Sequence, residues 1–205
     1  MSEDKETRRK LLDSARQEFL AKGYMKASLR TICKNVGVTT GALYFFFQDK
    51  EDLLKNLVEE PLNELVSMLQ RHLSDELGME TAYVSLEGDS EDIRVARELV
   101  HYMYQHFDVF QILLTKSQGS AYEDIVSRFA DLLEEHYSLL ADQITERLGV
   151  PKPDQYMIHW LSHIQIDAFI HLLTHEPDEE KAVRHIEGIV VYLISGWNGL
   201  FASRT

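Results

Sequence analysis

Residues 36–54 read VGVTTGALYFFFQDKEDLL, from Val36 to Leu54, and this stretch decides the fold. Gly37 separates two short helical patterns: Leu29, Ile32 and Cys33 recur at helical spacing before it, and Leu43, Tyr44 and Phe47 after it. Two short helices joined by a tight glycine-bearing turn make a helix-turn-helix, whose second helix is shaped to enter a DNA major groove. Thr39 or Thr40 can cap that second helix by accepting from its orphan N–H groups. Gly41 and Ala42 keep its first turn slim, so that backbone can approach a phosphate or a base edge closely.

Working outward, helical spacing predicts a first helix over about Lys5–Lys22, with Leu12, Ala15 and Phe19 on one stripe. Gly23 sits where a left-handed cap would end it, and Tyr24 can close the turn with an apolar contact. Ser28 caps the second helix. The three helices form a head whose core is expected to hold Leu12, Ala15, Phe19, Leu29, Ile32, Val38, Leu43 and Phe47. Cys33, the single cysteine, permits no intramolecular disulfide and reads as a small core residue.

The net charge of −13 argues by itself against nucleic acid, but its distribution matters more than its sum. Between residues 5 and 50, ten basic side chains face four acidic ones, giving this segment +6 and leaving −19 for the rest. A basic head on an acidic body suits a DNA reader with a separate non-DNA domain. The N-terminal MSEDKETRRK lacks an apolar signal region, and the longest apolar run, Ile189–Ile194, is far short of a membrane span. A cytoplasmic protein with no membrane partner is expected.

Asp49 and Asp52 open a fourth helix in the manner of a capping box. Its leucine pattern continues past Pro61, where a kink around Leu57–Pro61 is expected because proline removes a helical hydrogen bond. Residues 77–90 read as a linker. Helical spacing returns over Ile93–Phe107 and a short segment follows at Val109–Leu114. Ser120 with Glu123 suggests a capping box opening a helix to about Leu148. Two further helices are expected at about Asp154–His175 and Asp178–Ala202. The whole reads as all-α, with about nine helices: a helix-turn-helix domain over 1–50, then a larger ligand-binding and dimerisation domain over 51–205.

The block from Ile32 through Gly37, Val38, Gly41, Leu43, Tyr44, Phe47 and Lys50 to Leu53 resembles the N-terminal DNA-binding domain of the TetR family of bacterial transcriptional regulators. The resemblance covers about the first quarter of the chain. It implies a dimer that presents two recognition helices to a near-palindromic double-stranded operator, a small-molecule effector bound in the body, and release of DNA through the fourth helix. On that pattern Ser28, Thr39, Thr40, Tyr44 and Lys50 hold phosphates, while Thr40, Gly41, Ala42 and Phe45 meet base edges or thymine methyls. Where the family often carries a basic residue this chain has Thr40, and where it has His or Arg this chain has Phe45. No charge lies between Val36 and Gln48, so Lys50, Arg30 and the first helix must supply phosphate affinity.

In the body, Trp160, Leu161, Ile164 and Ala168 on one helix and Ile189, Tyr192, Leu193, Gly196, Trp197 and Leu200 on the next make broad apolar faces. They suit a two-fold interface with a second copy, or the packing of one chain. His101, Tyr102, Gln105, His106, Phe110, Tyr122, His136 and Tyr137 mix aromatic bodies with polar tips, and with His163 they are the candidate lining of a small-molecule pocket; an ordinary helical interface has the same composition. His159, His163, Asp167, His171 and His175 recur every four residues, which gives neighbours zinc-ligand spacing. The row drifts by about 40° per step and lacks cysteine or an HExxH sequence. A structural role is therefore expected, with no metal, no cofactor and no enzymatic activity. Two alternatives stay open: a DNA-binding nucleoid protein without an effector, and a metal-dependent helical enzyme using the histidine row.

Overall fold

The structure, a computed structural model, describes residues 2–78 and 91–202. Among these residues there are nine helices and no strand: α1 (Ser2–Lys26), α2 (Leu29–Val36), α3 (Thr40–Phe46), α4 (Lys50–Leu77), α5 (Glu91–Gln105), α6 (Phe107–Thr115), α7 (Ile125–Leu148), α8 (Gln155–His175) and α9 (Glu179–Phe201). The all-α expectation holds. None of these helices is long and apolar enough to cross a membrane. The expected linker falls, from residue 79 to 90, outside the described residues.

Two compact units emerge. The first comprises Met1–Glu64 and His106–Ile125, the second Leu65–Gln105 and Val126–Thr205, so that α4 supplies residues to both. In the first unit the buried stripe of α1 is Leu11, Ala15 and Phe19, each fully enclosed, together with Ser14 and Glu18. Leu12, expected in that stripe, is only half-buried. The i, i+4, i+8 register starts one residue earlier, which turns Leu12 about 100° away from the core. Leu29 and Val38 are likewise half-buried, while Ile32, Cys33, Leu43 and Phe47 are buried as expected. Gly23 interrupts α1 at φ 72°, ψ 162°, a positive-φ break rather than a left-handed helical cap. Beyond it Tyr24 turns inward and stacks on Phe19 at 5.9 Å. The Tyr24 N–H donates to the Lys116 carbonyl at 2.9 Å, fixing the end of α1 against the end of α6.

The capping expectation at α4 holds, with Asp49 Oδ1 accepting from the Asp52 N–H at 2.8 Å. The helix then runs from Lys50 to Leu77 without a break across buried Pro61. At α7 the outcome differs. Ser120 Oγ binds the Ser117 carbonyl and accepts from the Tyr122 N–H, and Glu123 reaches back to the Gly119 N–H at 2.9 Å. Those bonds build a turn, and the helix starts only at Ile125.

The second unit is organised by α5, α8 and α9. Ala182, Ile186, Val190 and Ile194, spaced by four along α9, pack with Ile93, Ala96 and Val100 of α5 and Leu172 of α8. A second cluster joins Leu140, Ala141 and Ile144 of α7 to Ile158, Trp197 and Phe201. Asp154 and Asp178 cap α8 and α9, accepting from the Tyr156 and Lys181 N–H groups.

Candidate functional site

The head presents α3 through a short chain of local devices. Glu18, 6% exposed, accepts from the Ser28 N–H at 3.1 Å and pairs with Lys22 at 2.7 Å, which ties α1 to the start of α2. Ser28 Oγ then caps α2 by accepting from the Thr31 N–H. Gly37 ends α2 in the left-handed region, φ 76° and ψ 25°, where its N–H donates to the Cys33 and Lys34 carbonyls. Two residues later Thr39 Oγ1 accepts from the Ala42 N–H at 3.2 Å and starts α3.

That helix buries one side chain, Leu43. Thr39, Thr40, Gly41, Tyr44 and Phe45 are exposed, and Ala42 is half-buried. Tyr44 and Phe45 leave 56% and 78% of their surface free. A large apolar side chain that open to water is informative where a neighbour two residues away, Phe47, is enclosed. Phe45 touches the edge of Phe46 at a ring separation of 5.0 Å. The tip carries no charge of its own. Arg30 stands exposed on α2. Lys50 is half-buried: its ammonium donates to the Tyr24 carbonyl at 2.8 Å and lies 4.4 Å from the Tyr24 ring centre, so its charge is spent on the end of α1. Burial, reinforced by Glu51, pushes the Tyr24 phenol far above its ordinary range, so this contact stays neutral-to-cation.

The second unit contains a cavity of about 90 Å³. Its apolar wall includes Leu69, Leu99, Phe169, Leu193 and Trp197, and its polar groups are His72, Glu76, Asp92, Tyr137 and Gln165. Tyr137 donates a hydrogen bond to Gln165 Oε1 and lies 5.0 Å from Trp197, ring centre to ring centre. Burial first, then the charges of Glu76 and Asp92, raise the Tyr137 phenol well above its usual range and hold it protonated as a donor. The size suits a small solute or an ion with its water rather than a drug-sized molecule, which takes about 300–1,000 Å³.

Of the nine residues expected to bind a ligand, Tyr137 lines this cavity. His136 is buried beside it and pairs with Glu76 at 2.7 Å. His101 and Gln105 are exposed, hydrogen-bonded to each other at 2.7 Å, and His101 is also held by Glu179. Tyr102 is half-buried on α5. His163 meets His159 ring to ring at 4.5 Å. His106, Phe110 and Tyr122 belong to the first unit, where Phe110 is a core residue at 1% exposure. Sequence reading missed His72, Glu76 and Asp92; the one signal available was the four-residue spacing of His72 and Glu76.

Residues 11–57 match the model of a family described as bacterial regulatory proteins, tetR family. That match runs from within α1 to within α4 and covers about a quarter of the chain. The chain is similar to the HTH-type transcriptional regulator AcrR of Shigella flexneri, 44% identical over 57 residues, which are 28% of this chain and 26% of that one. An uncharacterised HTH-type regulator of Pseudomonas putida, TtgW, is 32% identical over 82 residues, 40% of this chain and 58% of the relative. This chain therefore spans less than two thirds of the length of these curated relatives. A solved TetR-family regulator from Syntrophomonas wolfei is 25% identical with a TM-score of 0.54, the match covering 98% of this chain and 97% of that one.

The TetR match ends at residue 57, within α4, before any residue that lines the cavity and before α8 and α9. There the apolar faces divide. Trp197 is 5% exposed and packs between Tyr137 and Phe201, so the unit's own core takes it. Leu161 and Leu193 line the cavity, and Ile189 and Leu200 pack against the core clusters. Ile164 and Ala168 are half-buried and Gly196 is exposed. Trp160 and Tyr192 remain 44% and 70% exposed, beside Tyr156 at 70% and Val191 at 38%.

Proposed function

We propose that this chain is a cytoplasmic, ligand-responsive transcriptional regulator of the TetR family that binds a near-palindromic operator as a homodimer. The observation that carries the reading is the exposed tip of α3, Thr39 to Phe45, held on a core that uses only Leu43 of that helix. Apart from Leu43, these side chains lie outside the core of the head. The tip matches a helix that reads the major groove through hydroxyls, close backbone and apolar contact with thymine methyls. Relatives named as transcriptional repressors, BepR of Brucella suis among them, support repression as the mode of action. The exposed Trp160 and Tyr192 support pairing of α8 and α9 with a second copy, and a dimer suits a two-fold operator. The cavity supports an effector, in preference to a DNA-packaging protein with a solid body. An effector needs only to prefer the DNA-incompetent state by ~1–3 kcal/mol to change affinity five- to 150-fold.

The test is selection of bound duplexes from random sequence at low ionic strength, repeated across a metabolite library. The expected product is a motif with half-sites about one helical turn apart, ~34–36 Å. Because the tip is neutral, the dependence of log K on log salt should be shallower than about −10. A monomeric chain indifferent to every duplex would overturn the reading.

A further inference from the structure

Three chemically matched side chains converge beside the cavity from two helices. His72 and Glu76, one turn apart on α4, and Asp92, in the first turn of α5, bring potential ligand atoms within 4.8 Å of one another. Among the described residues no other three histidine, cysteine or carboxylate side chains meet in this way. The His72 ring Nε2 lies 3.3 Å from Asp92 Oδ1, with the two side chains 13% and 19% exposed. Glu76 is 14% exposed, and its Oε2 accepts from Nε2 of His136, itself 3% exposed. The Nδ1 atoms of both His72 and His136 are buried and have no hydrogen-bond partner among the described residues. A buried polar nitrogen left in that state calls for an explanation.

Charge narrows the explanation. Two carboxylates of low exposure, Glu76 and Asp92, stand together, and among the described residues no Lys or Arg side chain is bonded to either. A divalent cation neutralises that pair and takes the lone pair of a neutral imidazole, which an organic ammonium cannot do. We propose that His72, Glu76 and Asp92 form a binding site for a divalent first-row transition ion. His136 is the positioning residue that orients the Glu76 carboxylate, leaving Oε1 for the ion. One nitrogen and two carboxylate oxygens suit zinc, manganese, iron or cobalt better than calcium or magnesium, which prefer all-oxygen cages. Bonds of about 2.0–2.2 Å set ligand atoms ~3.4 Å apart in a tetrahedron, so small rotamer changes close the set. A fourth position faces the cavity, where water or a small anion completes the sphere.

The experiment uses full-length protein stripped with chelator and contains no DNA, so it stands apart from the operator reading. Co2+ and Zn2+ are titrated separately, following cobalt d–d absorption and bound zinc after dialysis. One equivalent per chain is expected for the wild type, with a higher melting temperature in its presence. His72→Ala and Asp92→Asn should each weaken binding at least tenfold. His136→Gln should weaken it about 10- to 100-fold. His163→Ala, in the histidine row of α8, should bind as the wild type. Absence of stoichiometric binding by the wild type overturns the site, whatever the variants do. So does wild-type affinity in folded His72→Ala and Asp92→Asn, or loss of binding in His163→Ala alone.

Discussion

Three consecutive phenylalanines give the sharpest test of the head. Phe45 is 78% exposed and Phe47 is 1% exposed, so the same truncation should act on different quantities. A phenylalanine offers ~150–250 Å², which leaves about 120–190 Å² of Phe45 free. Covering half of that against thymine methyls, at ~25 cal/mol per Å², contributes about 1.5–2.5 kcal/mol per half-site. Ordering and imperfect fit reduce this to ~1–2 kcal/mol. Two half-sites double it, so Phe45→Ala should weaken operator binding ~30- to 1,000-fold. In the free protein Phe45 is mostly exposed and its edge contact with Phe46 is lost, so stability should change by no more than ~1 kcal/mol. The salt dependence should not change, because no phosphate contact is removed. Phe47→Ala should cost about 3–5 kcal/mol of stability, and lose DNA binding only by unfolding the head. Fluorescence anisotropy on the selected operator, paired with denaturant melts, separates the two. Phe45→Ala protein that is folded yet binds within twofold of the wild type would refute the placement of this tip on DNA.

Gly37 has φ +76° and nothing within 4 Å of a built Cβ, so Gly37→Ala should cost ~1–2 kcal/mol through backbone strain alone, with Gly37→Asn recovering part in a denaturant melt. Trp197→Ala should lose about 3–5 kcal/mol of stability, whereas Tyr192→Glu should leave the fold intact and convert the dimer to monomer in sedimentation; the reverse pattern would exchange their assignments. Tyr104 donates to the Glu176 and Leu172 carbonyls, and burial, with the charges of Glu176, Glu179 and Asp178, pushes its phenol up to about 12. The folded state thus holds this proton more tightly than the unfolded state does. Its stabilising effect should be complete below pH 10 and decline as pH rises towards 12. Tyr104→Phe should show a shallower alkaline loss of denaturant midpoint than the wild type, and equal slopes would refute the assignment.

How much of this was legible in the sequence depends on how local each determinant is. Caps are local: Ser28, Thr39, Asp154 and Asp178 act within three residues and were readable or sit at the expected helix starts. Gly37 was readable because its left-handed conformation is nearly reserved for glycine. Leu12 was misplaced because adjacent leucines leave the helix phase undecided until a partner helix selects one. The Ser120–Glu123 pattern failed for a related reason. The residues of a capping box can equally close a turn, and the Ser117 carbonyl, outside the four-residue motif, is what engages the Ser120 hydroxyl.

The site in the body shows the limit more sharply. The histidine row of α8 is conspicuous because its period is regular, yet regular spacing on one helix spreads side chains around an axis and cannot make them converge. Its members meet in pairs instead, His159 with His163 and His171 with His175. A coordinating set needs ligands approaching one point from several directions, and a helix bundle provides this only by bringing different helices together. His72 and Glu76 come from α4, Asp92 from α5 and the supporting His136 from α7. Beyond the single four-residue step from His72 to Glu76, their separations along the chain carry no period to detect. The same logic explains the head in reverse: reading DNA requires a surface left unpacked, and a run of aromatics with only every second or third member needed for the core leaves that signature in sequence. Convergent chemistry hides in sequence, and presented surface does not.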